Sequence, residues 1–376
     1  MSKQISVFFL HDCPKRTAVC LLSAAVIILQ RTLRSNTALM RHLSADYIRP
    51  LHRRLSAWTD HIPFSLAELL ILLAGAALFF LLIRTLIRLI REDGRLRTLG
   101  LFVMSVLSAV LLIYAGFCLL WGVFYYGDDF MTRAGFETRA ISTDELETVT
   151  AWFAELANRT SEDVARDENG VCNIDRREVL AKSRTVYHRA QSCCPELEGP
   201  DVAAKPFFFS RLLSLTDFTG FFFPFTAEAN VNTDFPPALF AATVAHELAH
   251  QRGVAKEQEA NFCAVYASLL SEDPDYRYSA CLMAYTYLGN ALRQADPDSW
   301  REIYDGLNDN VLRDFAAERR YWKAYETPAR TISNTVYEGF LHSYDQNLGL
   351  RSYGACVDLL VCHYLSEARQ NQALAS

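Results

Sequence analysis

His246-Glu247-Leu248-Ala249-His250 is a stretch whose residue types and spacing speak directly of chemistry. On a helix, positions i and i+4 share a face, so both imidazoles can reach one cation. Zinc takes neutral histidine nitrogens at about 2.0–2.1 Å, and a glutamate next to the first histidine can hold and deprotonate a water on the metal. Three protein ligands plus that water make an open, catalytic site. The pentad alone can arise by chance. Its surroundings raise its weight, because it interrupts an otherwise apolar run, AATVAHELAH. Two histidines and a carboxylate there are costly to bury unless paired or metal-bound.

A third ligand is needed. Glu257 follows His250 by seven residues. On one continuous helix it would sit about 10 Å along the axis from His250, too far to share an ion. The helix must therefore break, and Arg252-Gly253-Val254 is where it can. A second helix folding back then offers Glu257 to the metal. Asn261, one turn further on the same face, could hydrogen-bond a ligand histidine from outside the coordination shell. Glu259 points roughly 200° away from Glu257, so one of the two is the ligand. Glu257 is favoured because Asn261 shares its face, with Glu259 in reserve.

The segments PFTAEANVN and HELAHQRGVAKEQEANF, with IPFSLAEL nearer the N-terminus and LGLRSYGACVDLL nearer the C-terminus, resemble the bacterial membrane family called domain of unknown function 3810. That family resembles zinc metallopeptidases. The Glu257–Asn261 spacing is similar to the ExxxD element of gluzincin peptidases, in which the first Glu binds zinc and the residue four positions on orients a histidine. Here Asn stands in place of Asp, and the link between the two helices is shorter than in many gluzincins. The resemblance implies a zincin fold.

Secondary candidates surround this core. Glu228, Asn230 and Asn232 precede the metal helix and could form a strand edge that holds an extended substrate, or could cap the helix that follows. Tyr353, Arg351 and His342 are candidates for stabilising an oxyanion, although a core or surface role is the commoner fate of any one of them. His188 and His363 read as ordinary residues.

The elements that must position these groups lie in residues 128–376. Ser142 to Glu145 form a capping box opening a helix with Leu146, Val149, Trp152, Phe153 and Leu156 on one side. Residues 205–234, rich in Phe, Thr and Val and punctuated by Gly220 and Pro224, read as short strands. A helix begins after Pro236-Pro237 and ends at Gly253; a second runs from about Val254 to Ser271. Residues 276–294 and 298–326 are helical. So are the surroundings of 336–342 and 356–367, with a loop at 349–354 between them.

Residues 1–127 are a membrane region. Thr98 to Gly127 holds 30 residues without a charge, where about 20 suffice to cross a bilayer. Trp121, Phe124, Tyr125 and Tyr126 at its end suit an interfacial belt. Leu66 to about residue 90 is a second span; a capping box from Ser65 to Glu68 keeps Glu68 at headgroup level. Residues 17–30 form a short span or an interfacial helix, so two or three spans are expected, at about 17–30, 66–90 and 98–124. Residues 31–62 could instead lie along the membrane surface. With three spans, 8 basic residues fall on the N-terminal side and 6 on the other. This slight excess favours the N-terminus inside and the large C-terminal part outside.

The net charge of −6 divides into +8 over residues 1–127 and −14 over residues 128–376. The acidic part excludes a general nucleic-acid binder, and the basic part is also the apolar part, which points to lipid. The 10 cysteines contain no CxxC, which excludes a zinc ribbon or thioredoxin motif. Cys172 could pair with Cys193 or Cys194, or all three could be free thiols.

The expectation is a mainly α (α+β) protein: N-terminal transmembrane helices, then a zincin-like metallopeptidase domain with a small β element. Its function would be hydrolysis of a peptide or protein substrate by zinc-activated water, with Glu247 as base, at a bacterial cell membrane. The alternative is a membrane-anchored sensor or scaffold with a structural or vestigial zinc site.

Overall fold

The computed structural model describes residues 11–136, 139–344 and 353–375. It is mostly helical and divides into two compact units. One comprises residues 1–50, 66–127 and 224–226; the other comprises 51–65, 128–223 and 227–376.

In the first unit, α1 (Pro14–Leu33), α4 (Leu66–Arg91) and α5 (Arg95–Leu120) are each long and apolar enough to cross a membrane. The segment expected at 17–30 is thus a helix of 20 residues. Arg31 at its end donates to Tyr114 Oη on α5 at 3.0 Å. Arg34, just beyond, donates to Tyr126 Oη at 3.0 Å. Large apolar side chains such as Leu21, Leu22, Phe79 and Phe80 remain exposed, as a lipid-facing surface requires. Glu68 is buried in the first turn of α4. The third span stops earlier than its composition predicts. α5 ends at Leu120, and Gly122–Tyr125 form a buried 3-10 turn. Trp121 Nε1 donates to Tyr125 Oη at 3.2 Å, so the expected aromatic belt is largely folded inward. Residues 31–62 are neither loop nor one continuous helix: α2 (Thr37–His42), a π-helical turn (Leu43–Ile48) and α3 (Arg49–Thr59) follow one another.

The second unit takes residues 51–65 with it, so the boundary expected at 127/128 does not describe the whole division. The reason is a buried lysine. Lys205 Nζ donates to the carbonyls of Thr59, Ile62 and Phe64 at 2.7, 3.0 and 3.1 Å, and pairs with Glu228 Oε1 at 2.6 Å. A buried ammonium needs such saturation to be tolerated.

Three short strands form one sheet: β1 (Lys205–Phe207), β2 (Gly220–Phe223) and β3 (Glu228–Asn232). The order is β1-β3-β2, with β3 parallel to β1 and antiparallel to β2. Between β1 and β2 lies α10 (Ser210–Leu215), after α6 (Phe130–Ala134), α7 (Thr143–Thr160), α8 (Arg176–Lys182) and α9 (His188–Cys193). The capping box at α7 is present: the Ser142 hydroxyl accepts from the Glu145 amide, and the Glu145 carboxylate from the Ser142 amide.

Against the sheet packs α11 (Phe240–Gln251), followed by α12 (Glu257–Leu270) and α13 (Pro274–Ala295). Apart from His246, every residue of α11 is buried. The helical stretch expected at 298–326 consists of two helices, α14 (Pro297–Asp305) and α15 (Asp309–Ala324), parted at Gly306-Leu307. α16 (Pro328–Ser343) and α17 (Tyr353–Ala375) are longer than the sequence suggests. Most of the loop expected at 349–354 lies outside the described residues. Cys172, Cys193 and Cys194 are free thiols.

Candidate metal centre

The chain reversal that the site needs is built by local backbone chemistry. Gly253 has φ +81°, the left-handed conformation that glycine adopts without steric cost. Its amide donates to the His250 carbonyl at 2.8 Å, and the Val254 amide to the Ala249 carbonyl at 3.1 Å. These are the two bonds of a Schellman ending. The turn also serves the site, because the Val254 carbonyl accepts from His250 Nδ1 at 2.7 Å. A proton held on Nδ1 leaves Nε2 as the lone-pair nitrogen.

The reversal brings Glu257, the first residue of α12, back over α11. Glu257 Oε2 lies 3.3 Å from His246 Nε2 and 3.7 Å from His250 Nε2. The two imidazole rings stand 4.6 Å apart and nearly perpendicular. One ligand atom from each of His246, His250 and Glu257 falls within 4.8 Å of the others. Two donors tetrahedrally bound at about 2.0–2.1 Å would be separated by roughly 3.4 Å. The donor set and its spacing therefore suit a zinc ion.

Glu247 sits beside this cluster, 3% exposed, with Oε2 lacking a hydrogen-bond partner among the described residues. Burial pushes its carboxyl up to about 7, against the opposing pull of His246 and His250. With protein groups alone in the field, burial would lower His250, but Glu257 overcomes this and holds it at about 9. Burial would raise Glu257, yet the two imidazoles hold it well below the usual carboxylate range.

Several expected roles are placed differently. Glu259 is buried and turned away, accepting from the amides of Phe130 and Met131 at 3.1 and 3.3 Å, and is not part of the cluster. Asn261 is half-buried one turn after Glu257, but it is not on Nδ1 of either histidine. Val254 holds that of His250, and that of His246 is buried without a partner among the described residues.

Glu228, Asn230 and Asn232 do not form a substrate-binding edge. β3 is the inner strand, flanked by β1 and β2, and all three side chains are buried. Glu228 is held by Lys205; Asn230 accepts from Ser65 Oγ at 2.6 Å, and Asn232 donates to Ser214 Oγ at 2.8 Å. The Arg351 residue and the Tyr353 side chain lie outside the described residues. His342, in the last turn of α16, is not in the cluster. His188 pairs with Asp201 at 2.9 Å, and His363 packs among Phe136, Phe262, Tyr266 and Tyr364.

Two residues at the site escaped sequence reasoning. Tyr337 Oη donates to Glu257 Oε1 at 2.7 Å. Its one sequence signal is a polar stripe on α16: Arg330, Ser333, Asn334, Tyr337. Gly220, read only as a strand breaker, abuts Glu247. A Cβ there would meet Glu247 Oε1 at 2.6 Å and Cγ at 2.7 Å. Nothing local in the sequence announces that contact.

Neither the curated proteins nor the solved structures contain a match to this chain. A family model described as "Protein of unknown function (DUF3810)" matches residues 46–361, a stretch that includes both helices of the cluster and Tyr337. Over most of its length, therefore, the chain belongs to the DUF3810 family.

Proposed function

We propose that the protein is a membrane-anchored, zinc-dependent peptidase. The observation that carries this reading is the convergence of His246, His250 and Glu257 within 4.8 Å, next to a buried Glu247 with one oxygen unpartnered among the described residues. Zinc at this position would act as a Lewis acid, acidifying a water and polarising a substrate carbonyl.

The remaining work falls to side chains. His250 offers Nε2 because Val254 occupies Nδ1. Glu247, buried against Gly220, takes a proton from the attacking water as the new C–O bond forms. It returns that proton to the departing amine as the C–N bond breaks. A merely structural zinc site would want a fourth protein ligand. Among the described residues the cluster contains three, and Glu259 is committed to two backbone amides. This supports an open site. The apolar helices α1, α4 and α5 support an anchor in a bacterial cell membrane. The balance of basic residues favours the second unit on the outer side.

The test uses the full-length protein in detergent or nanodiscs, with bound zinc measured and hydrolysis followed on fluorescent casein and a mixture of quenched peptides. Glu247→Gln is expected to keep its zinc and lose hydrolysis by a factor of at least 10². Zinc-dependent hydrolysis unchanged in Glu247→Gln would overturn the mechanism. Absence of zinc from the wild-type protein would overturn the site.

A further inference from the structure

We infer that Tyr337 is a positioning residue that commits Glu257 to the cation through a single oxygen. The inference rests on the proposed zinc site and concerns how the carboxylate is presented there.

The two oxygens of Glu257 face different groups. Oε2 is the one near His246 Nε2 and His250 Nε2, at 3.3 and 3.7 Å. Oε1 accepts from Tyr337 Oη at 2.7 Å. A carboxylate left alone beside a divalent ion can bind through one oxygen or both. A phenol donating to one oxygen removes electron density from it and fixes the plane of the group, so the other oxygen is left for the metal. Single-oxygen binding leaves room for a water, which hydrolysis requires and a closed site lacks.

The phenol is placed by more than its own side chain. Four residues on one face of α16 hold the segment joining α10 to β2. Arg330 Nε pairs with Asp217 Oδ2 at 2.9 Å, and Asn334 donates to the same oxygen at 3.0 Å. Ser333 donates to the Thr216 carbonyl at 3.0 Å. Tyr337 itself packs edge-on against Phe218, ring centroids 5.3 Å apart. Positions 330, 333, 334 and 337 follow helical spacing, so one stripe both docks the helix and delivers the hydroxyl. Asp217 takes φ +65°, an uncommon backbone for a residue with a side chain. Three residues further on, Gly220 touches Glu247. The same short segment therefore borders both the base and the partner of the third ligand.

The experiment compares full-length wild type, Tyr337→Phe and Asp217→Asn. Zinc affinity is measured by competition with a chromophoric chelator, and cobalt(II) is used as a spectroscopic substitute. Tyr337→Phe is expected to bind zinc about 10- to 100-fold more weakly. Its cobalt absorption should fall in intensity as the carboxylate turns bidentate and coordination number rises. Asp217→Asn, which loosens α16 without touching Glu257, should shift both readouts the same way by a smaller amount. Wild-type affinity and an unchanged cobalt spectrum in Tyr337→Phe would overturn the inference while leaving the zinc site standing. A wild-type protein that takes up neither metal would overturn the site itself, and this inference with it.

Discussion

Replacing Gly220 with alanine adds one methyl group at the point where strand β2 meets the proposed base. The glycine is not there for conformational freedom, because its φ lies outside the left-handed range, so alanine fits the backbone. The cost is one of contact. The new Cβ would lie 2.6 Å from Glu247 Oε1, 2.7 Å from its Cγ and 2.8 Å from the Asn230 carbonyl oxygen. Reaching ordinary contact needs a shift of roughly 0.7 Å or more, and overpacking of this kind costs about 1–3 kcal/mol. The Asn230 carbonyl belongs to the middle strand and Glu247 to a helix buried on nearly all sides, so neither yields freely. A displacement of that size at a reacting group lowers a rate by about 10- to 100-fold. None of the three closest atoms belongs to His246, His250 or Glu257, so zinc content should be unchanged.

The decisive assay is a double-mutant cycle on stability, which needs no substrate. Glu247→Ala deletes two of the three crowding atoms, so Gly220→Ala should cost less in that background, by about 1 kcal/mol. For a domain of this size, each kcal/mol moves the melting temperature by about 2–4 °C. Costs that add within about 0.5 kcal/mol would refute the claim that this glycine exists to admit Glu247.

Glu318 tests the electrostatics away from the site. Burial pushes its carboxyl up to about 8, reinforced by Asp314 and opposed by the Trp322 indole that donates to it at 3.0 Å. The folded state then holds a proton that the unfolded chain releases near pH 4.3, so stability falls as pH rises between those values. Glu318→Gln should match wild type near pH 4 and exceed it by a few kcal/mol above pH 8, as read from denaturant midpoints; identical pH slopes would sink this account. Orientation has its own check: protease added outside intact cells should degrade the second unit, and degradation seen only in inverted vesicles would reverse the assignment.

Much of the site was legible in the sequence because it is local. The four-residue spacing of His246 and His250 sets their shared face, and Gly253 marks where a helix can turn back. The distance from His250 to Glu257 demands that it does. Capping at Ser142 and the uncharged run after Thr98 are equally local, since helix ends and membrane spans depend on neighbours within a turn or on summed hydropathy. Tertiary structure alone decided the rest. The chain returns from β1 to lay β3 inside the sheet, which turns an expected substrate edge into a buried core strand. Glu259 finds two amides from a helix more than 120 residues earlier. Tyr337 arrives at Glu257 from 80 residues later, and Gly220 makes room for Glu247 across a helix–strand contact. Such meetings depend on how whole elements stack, and hydrophobic packing brings together residues whose own neighbours in the chain carry no trace of the encounter.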